Sequence, residues 1–185
     1  RVFNKFNIEI ISTGATAKKI ISLGFKCKEI SKLTKFKEIL DGRVKTLHPK
    51  LHASILYKRD NLNHFNSFKK LNFPAIDFVI VNFYPFDKIS NKEIAEKKIE
   101  MIDIGGPSMI RSASKNFASV TTICDKKYYD SLIKELIKNK GVTSLLFRKR
   151  MAEKNFKLTS DYDLSIFRWF NKKDKEKSIK KIKIK

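Results

Sequence analysis

Residues 8–30 read IEIISTGATAKKIISLGFKCKEI, and this stretch decides the expected fold. The β-branched, apolar run at 8–11 predicts a strand, and the small polar residues at 12–16 predict a turn. A helix follows, and Gly24 is placed to end it as glycine commonly does. Residues 25–30 then return as a second strand. Because such a unit implies parallel strands, we expect an α/β domain with a doubly wound, mostly parallel sheet flanked by helices.

The rest of the chain adds elements of the same class. The strongest is a strand at 76–83, which is nearly unbroken in apolar residues, as buried parallel strands are. Further patterns predict helices at 49–57, 62–71, 94–99 and 132–137, a strand at 119–124 and a long helical segment at 143–170. In that long segment we expect docking by Leu145, Leu146, Phe156, Ile166 and Trp169. We expect one domain at 1–171, followed by a lysine-rich linker or tail at 172–185.

Composition narrows the classes of partner. The 185 residues carry 41 Lys and Arg against 19 Asp and Glu, a net charge of +22. Only seven of the basic residues are arginine, and the lysines are spread through every segment, so we expect no nucleic-acid partner. No apolar run approaches the roughly 20 residues that span a bilayer, and no signal peptide is visible, so we expect no membrane partner and a cytoplasmic location. Cys27 and Cys124 are expected to be buried, reduced thiols.

The stretch at 102–115, IDIGGPSMIRSASK, carries the strongest candidate chemistry. Pro107 suits the first position of a helix. Positions 108, 111, 112 and 115 then share a polar face, while Met109, Ile110, Ala113 and Phe117 turn towards the protein. Helical side chains lean towards the N-terminus, so we expect the Lys115 ammonium to lean towards Asp103. Together they form a candidate acid/base site for an anionic substrate, and a capped helix with a surface lysine is the alternative.

Two further polar segments are candidates for ligand binding. The turn at 12–16 can hold phosphate through backbone amides and hydroxyls, although such turns are common. In residues 41–50, DGRVKTLHPK, Arg43 and Lys45 alternate about Val44, so an extended strand would point both to one side. A solvated basic loop is the alternative. We expect the loops at 12–16, 82–86 and 103–106 to converge on one crevice at the ends of the strands.

The histidines and the tyrosine in these segments allow more than one interpretation. His48 and His52 are four residues apart, a spacing that can bind zinc on a helix. His48 precedes a proline, which disfavours helical backbone, and no third ligand lies nearby in sequence, so we expect no metal site. Tyr84 can equally be an aromatic plug at the end of a strand, with its hydroxyl in water.

Five segments together resemble the IMP cyclohydrolase domain of the bifunctional purine biosynthesis protein, a family with a methylglyoxal-synthase-like (MGS-like) fold. In family order they are residues 11–16, 41–49, 81–86, 102–106 and 114–116. The resemblance runs from near Arg1 to about Phe170. Five motifs in the family's order are far more specific than any one of them.

The resemblance implies closure of the purine ring of formylaminoimidazole carboxamide ribonucleotide (FAICAR) to IMP, with loss of water and without a metal or redox cofactor. By similarity, Asp103 and Lys115 match proton-handling residues, while Lys45 and Tyr84 match groups that stabilise charge on oxygen or orient the substrate. The matching substrate-binding positions are Thr13, Gly14, Ala15, Thr16, Arg43, Val44, Lys45, Thr46, Val81, Asn82, Asp103, Ile104 and Gly105.

The chain also departs from the family's pattern. The family opens with a strand and a phosphate-contacting Ser-x-Ser-Asp-Lys loop, and both are absent before Arg1. Ala15 replaces a usual glycine, and no formyltransferase domain follows the tail. We therefore expect an N-terminally truncated piece of a bifunctional, homodimeric enzyme. A methylglyoxal-synthase-like lyase or a nucleotide-binding regulatory module is the alternative within the fold, and a basic nucleic-acid-binding module is the alternative of another class.

Overall fold

The computed structural model describes residues 1–84, 86 and 95–171, which form an α/β domain. Its strands are β1 (Ile11–Ser12), β2 (Lys28–Glu29), β3 (Phe78–Ile80) and β4 (Thr121–Ile123). β1 pairs in parallel with β2, and β3 pairs in parallel with β4. The predicted α/β class with parallel strands is confirmed, and within the described residues the strands form two separate pairs.

Helices surround these strand pairs. They are α1 (Val2–Lys5), α2 (Gly14–Ser22), α3 (Ile30–Thr34), α4 (Pro49–Leu56), α5 (Leu62–Lys69), α6 (Ala95–Glu100), α7 (Gly105–Lys115), α8 (Tyr129–Lys138) and α9 (Leu145–Phe170). Short 3-10 turns lie at Leu40–Gly42 and Lys126–Tyr128. The predicted helices at 49–57, 62–71, 132–137 and 143–170 therefore exist close to their expected bounds. The tail predicted at 172–185 lies outside the described residues.

All four predicted strands are longer than the observed ones: β1 retains only Ile11 of the predicted 8–11, and β4 covers 121–123 of the predicted 119–124. β3 covers three residues of the predicted 76–83, although the pairing extends by one residue at each end. Thr121 N donates to Asp77 O at 2.8 Å, and Val81 N donates to Ile123 O at 3.0 Å. The strand predicted at 25–30 is reduced to β2, because Ile30 begins α3 and is buried in the core from that helix.

α2 begins earlier than the sequence predicted. Gly14, Ala15 and Thr16 form its first turn, and Thr13 is the extended residue before it. The helix ends at Ser22, and Gly24 follows with φ of +81°, a backbone conformation that glycine adopts without steric cost. The predicted glycine stop is confirmed, whereas the predicted turn at 12–16 is mostly helical.

The main core lies between α4, α7 and the β3–β4 pair. Ile110 and Ala113 of α7 are fully buried there, and Ile55 of α4 and Val120 join them. The inward face predicted for α7 is therefore confirmed at these two positions. A second cluster joins β4, α8 and α9 through Ile123, Leu132, Leu136 and Met151.

The docking face predicted for α9 is wrong at three positions. Leu145, Leu146 and Phe156 are exposed. The helix instead buries Met151, Ala152, Asn155, Thr159 and Tyr162. Several of these side chains are polar and form internal hydrogen bonds, so the apolar residues alone do not mark the buried face of α9.

Asn155 of α9 forms hydrogen bonds to strand β4 and to α7. Its Nδ2 donates to Thr122 O at 3.0 Å and to Ser114 Oγ at 3.4 Å, and its Oδ1 accepts from the Cys124 thiol at 2.7 Å. Burial raises the pKa of Cys124 to about 12, so this thiol stays protonated and donates. Cys124 is buried as predicted, whereas Cys27 is only partly buried.

The described residues contain neither a helix able to span a membrane nor a cluster of metal-ligating side chains. No helix among them combines the length and the apolar character that crossing a bilayer requires. No group of three or more His, Cys, Asp or Glu side chains among them is placed to hold a metal ion.

The Asn155 network predicts a stability effect. Asn155→Leu removes its hydrogen bonds and leaves the Thr122 carbonyl unpaired in the core, so we expect the free energy of unfolding to fall by about 1–3 kcal/mol. Urea denaturation measures this loss. Ser160→Ala, at an exposed position on the same helix, is the control and should change stability by less than about 0.5 kcal/mol. Equal stabilities of the two variants would contradict a structural role for the network.

Candidate active site

α7 begins beside the carboxylate of Asp103. Asp103 Oδ1 accepts a hydrogen bond from Gly106 N at 2.9 Å. Because the first N–H groups of a helix have no partner within the helix, this carboxylate satisfies one of them. The sequence predicted Pro107 at the first position of this helix. The helix instead begins at Gly105, so Pro107 is its third residue. A proline is tolerated there too, since its missing N–H lies within the first turn.

Two glycines let residues 103–106 pack closely against their surroundings. A Cβ atom on Gly106 would lie 2.5 Å from Asp103 Oδ2, and one on Gly105 would lie 2.5 Å from Thr46 Oγ1. Neither space can hold a side chain, and Thr46 is buried. The predicted segments at 41–50 and 102–115 therefore meet here. We call Lys45, Thr46, Asp103, Gly105 and Gly106 the Asp103 cluster.

The Asp103 carboxyl has an altered affinity for protons. Burial raises its pKa, because the charged form loses water. The Gly106 N–H and the positive charge of Lys45 act in the opposite direction but more weakly, so the pKa of Asp103 stays above its usual value. A carboxylate with a raised pKa is a stronger base than an exposed aspartate.

Arg43 and Lys45 do not share one side of a strand, as the sequence predicted. Arg43 has helical backbone angles, and its guanidinium forms an ion pair with Glu100 of α6. Val44 forms an antiparallel bridge with Ile39 instead of continuing a strand. Of the two cations, only Lys45 is among the causes that act on the pKa of Asp103.

The loop that follows β3 approaches the Asp103 cluster through Tyr162 of α9. The Tyr162 hydroxyl accepts a hydrogen bond from Asp103 N at 2.8 Å, and its ring packs against Phe83 with centroids 5.2 Å apart. Asn82 Nδ2 donates to the Tyr129 hydroxyl at 2.8 Å, and Tyr84 is 52% exposed. Two of the three loops that the sequence expected to converge are therefore adjacent, and Pro85 of that loop lies outside the described residues.

The third predicted loop forms the start of α2. Thr13 makes no side-chain capping bond, and Ala15 and Thr16 are exposed. Such a helix start favours anions. The hydrogen bonds and ion pairs of the described residues do not connect this turn with the Asp103 cluster.

Lys115 lies apart from Asp103. It is the last residue of α7, about 15 Å along the helix from Gly105 at 1.5 Å per residue. There it lines an open cleft of about 680 Å³ together with Arg111, Lys149, Glu153 and Phe156. The expected lean of its ammonium towards Asp103 is therefore not observed. Among the described residues, the cation that lowers the pKa of Asp103 is Lys45.

Two residues beside the cluster are not indicated as functional by the sequence patterns. His52 has its Nδ1 at 3.1 Å from Ser112 Oγ of α7. Burial lowers the pKa of His52 more than the Thr46 backbone raises it, which favours the neutral ring. No local sequence pattern indicates a role for Tyr162, because its partners, Met101 and Asp103, are about 60 residues away in sequence. The four-residue spacing that suggested zinc instead reflects helical packing of His52 against α7.

Comparisons with known proteins agree with this architecture. The family model of the MGS-like domain matches residues 1–108, which include β1 to β3 and Asp103. The chain belongs to the MGS-like domain family. A second family model, the AICARFT/IMPCHase bienzyme, matches residues 113–185.

Two relatives of this MGS-like domain carry the same name. The chain is 46% identical over 167 residues to the bifunctional purine biosynthesis protein PurH of Bradyrhizobium diazoefficiens, and 51% identical over 160 residues to that of Fusobacterium nucleatum. These matches cover 90% and 86% of this chain but only 32% of each relative, so the chain spans about a third of their length. The resemblance seen in the sequence is confirmed.

A solved structure supports the fold directly. The crystal structure of ForH superposes with a TM-score of 0.80 at 28% sequence identity, covering 91% of this chain and 87% of that one. The predicted MGS-like fold is therefore confirmed by sequence and by structure.

The raised pKa of Asp103 predicts a pH-dependent stability difference. In the unfolded chain Asp103 ionises near its ordinary pKa, about 3.9, whereas in the folded protein it holds its proton to higher pH. Its contribution is present at low pH and is lost as pH rises through the folded pKa. Asp103→Asn abolishes this loss, so the free energy of unfolding of the variant minus that of the wild type should increase from about pH 3 to about pH 7.

Urea denaturation at several pH values measures this difference. Asp163→Asn, at an exposed position on α9, is the control and should give a difference that varies little with pH. A difference for Asp103→Asn that stays constant or decreases with pH would show that the folded pKa is not raised.

Proposed function

We propose that this domain catalyses closure of the purine ring of FAICAR to IMP. The observation that carries the proposal is the half-buried Asp103, whose raised pKa and neighbouring Lys45 suit proton transfer beside a developing negative charge. The similarity to proteins named bifunctional purine biosynthesis protein PurH supports the same reaction. Ring closure is a condensation without change of oxidation state, so its chemistry calls for no redox cofactor.

The reaction has two proton-dependent stages. First, the carboxamide nitrogen loses a proton and forms a bond to the formyl carbon, while the formyl oxygen gains a proton and becomes a hydroxyl. Then this hydroxyl leaves as water with the proton of the formylamino nitrogen, and the new ring carbon–nitrogen double bond forms. An amide is a poor nucleophile, so a base, a partner for the oxygen and close positioning are what the uncatalysed step lacks.

Asp103 is the proposed base in the first stage. Its raised pKa brings it closer to neutral pH, where a base is most effective, and its bond to Gly106 N fixes the direction of the carboxylate. Lys45, on the neighbouring segment, is the proposed cation that stabilises the charge developing on the formyl oxygen. Tyr84, which is exposed on the loop beside Tyr162, is proposed to orient the substrate.

Binding of the nucleotide is assigned to four segments. We propose that Thr13, Gly14, Ala15 and Thr16 hold the phosphate through the N–H groups at the start of α2, which no Thr13 side chain caps. Val44, Thr46, Val81, Asn82, Ile104 and Gly105 are proposed to line the site around the base and ribose. Arg43 is proposed to join them although its guanidinium is paired with Glu100, so binding through Arg43 requires that exposed ion pair to open.

Lys115 is proposed as the second proton-handling group, on the strength of its motif. Lys115 lines a cleft at the far end of α7 from Asp103. It therefore does not act through direct contact with that carboxylate. Its role therefore requires a separate test from that of Asp103.

For the longer protein, we propose a cytoplasmic homodimer in which this domain is one half of a bifunctional enzyme and an AICAR formyltransferase is the other. The similarity to the PurH relatives, of which this chain covers about a third, supports a bifunctional protein. The homodimer and the location rest on the family resemblance alone.

The two proton-handling assignments predict large effects on turnover. In the chain carrying the family's N-terminal strand and loop, Asp103→Asn and Lys115→Ala should each lower the rate of FAICAR ring closure by about 10²–10⁴-fold, the usual contribution of acid–base groups. The reaction is followed by ultraviolet absorbance. Circular dichroism checks that both variants stay folded.

Matched controls make the two outcomes separable. Asp163→Asn makes the same substitution at an exposed position on α9. Lys149→Ala removes another cation from the cleft of Lys115. Both should react at nearly the wild-type rate. Near-normal rates in Asp103→Asn and Lys115→Ala would refute the proton-transfer assignment, and a normal rate in Lys115→Ala alone would remove only that lysine.

The Lys45 assignment predicts a loss of ligand affinity. Lys45→Ala should weaken inosinate binding by about 10-fold, equivalent to about 1.4 kcal/mol, because a charged partner is lost. Isothermal titration calorimetry measures the dissociation constant. Lys58→Ala, exposed beyond α4, is the control and should bind normally. An unchanged dissociation constant for Lys45→Ala would exclude Lys45 from the site. Steeply salt-dependent binding of nucleic acid by the wild type, without inosinate binding, would favour the alternative of a basic nucleic-acid-binding module.

A further inference from the structure

The Tyr162 hydroxyl is bonded to both sides of the peptide segment that carries Asp103. It accepts a hydrogen bond from Asp103 N at 2.8 Å and donates one to Met101 O at 3.2 Å. A single hydroxyl can do both, since it has one proton and two lone pairs. The backbone on each side of Ile102 is therefore held by one side chain from α9.

The ring of Tyr162 also supports the loop after β3. It packs against Phe83 with centroids 5.2 Å apart and against Phe86 at 6.3 Å. Phe86 is buried, and Tyr162 is 9% exposed. Tyr162 thus contacts the loop that carries Tyr84 as well as the segment that carries Asp103.

The helix that carries Tyr162 is held firmly. Seven residues before Tyr162, Asn155 bonds to Thr122 O of β4 and is fully buried. Thr159, one turn before Tyr162, is also fully buried. A site held from a packed helix is more accurate in geometry than one that depends on loops alone.

We propose that Tyr162 is a positioning residue for the active site, holding the Asp103 carboxylate, Phe83 and Phe86 in one arrangement. This inference rests on the proposed function of Asp103 as the base. Tyr162 acts through the backbone of Asp103 and not on the substrate itself. Because a displacement of about 1 Å can lower a rate by about 100-fold, the bonds of Tyr162 to Asp103 N and Met101 O are enough to affect turnover strongly.

Tyr162→Phe is the discriminating variant, because it keeps the ring between Phe83 and Phe86 and removes only the hydroxyl. We expect kcat for FAICAR ring closure to fall by about 10-fold to 100-fold, with KM changed by less than about threefold, since substrate contacts remain. Tyr57→Phe is the matched control. Its ring stacks on Phe68 at 4.1 Å, away from Asp103, and it should leave both constants unchanged.

Two measurements on the 185-residue protein test the positioning without activity. Amide hydrogen exchange by NMR should become at least about 10-fold faster at Asp103 and Gly106 in Tyr162→Phe, with no change in buried amides such as Ala113. The NMR titration midpoint of the Asp103 carboxyl should move down towards the ordinary aspartate value, because a loosened segment admits water. Tyr57→Phe should leave both measurements as in the wild type.

The outcomes separate this inference from the proposed function. Unchanged exchange and titration at Asp103 would overturn the positioning role whatever the activity. Faster exchange with an unchanged kcat, in a protein whose wild type turns over, would also overturn it. If the wild type shows no ring closure, the proposed function fails, and the exchange and titration results alone then decide whether Tyr162 positions Asp103.

Discussion

The contact between the Asp103 carboxylate and the glycines that begin α7 is the constraint on which the site depends. Gly106 leaves room for Asp103 Oδ2, and Gly105 leaves room for Thr46. Further along the same helix, Ile110 and Ala113 are fully buried in the main core. The start of α7 therefore cannot move independently of the core. The carboxylate and the 41–46 segment take their positions from that helix.

Buried polar side chains of α9 also support the site. α9 turns Asn155, Thr159 and Tyr162 inwards, where an amphipathic helix would usually place apolar residues. Buried polar groups cost free energy unless they are paired, and Asn155 and Tyr162 pair with backbone groups of β4 and of the Asp103 segment. These directional bonds specify how α9 sits against α7 more sharply than apolar packing alone would. The geometry at Asp103 thus depends on a helix about 60 residues later in the chain.

Local sequence patterns predicted the elements well and the side-chain contacts less well. The glycine stop after α2, the start of α4 at Pro49 and the inward face of α7 all follow from neighbouring residues, and all are observed. The buried face of α9 was wrong because its polar members are satisfied by distant partners. The ion pair of Arg43 with Glu100 was missed for the same reason, since it joins residues 57 positions apart. A family resemblance identifies which residues matter, but it does not show how each is held.

The distribution of cations around Asp103 explains why its pKa can remain raised in so basic a chain. Each positive charge close to a carboxylate lowers its pKa and so opposes the effect of partial burial. Arg43 is paired with Glu100, and Lys115 lies in the cleft at the far end of α7, which leaves Lys45 as the cation that acts on Asp103. If Lys115 leaned towards Asp103 as first expected, it would stabilise the carboxylate and weaken it as a base. The separation of these two residues is therefore compatible with Asp103 as a base, and it directs any role of Lys115 to a different proton.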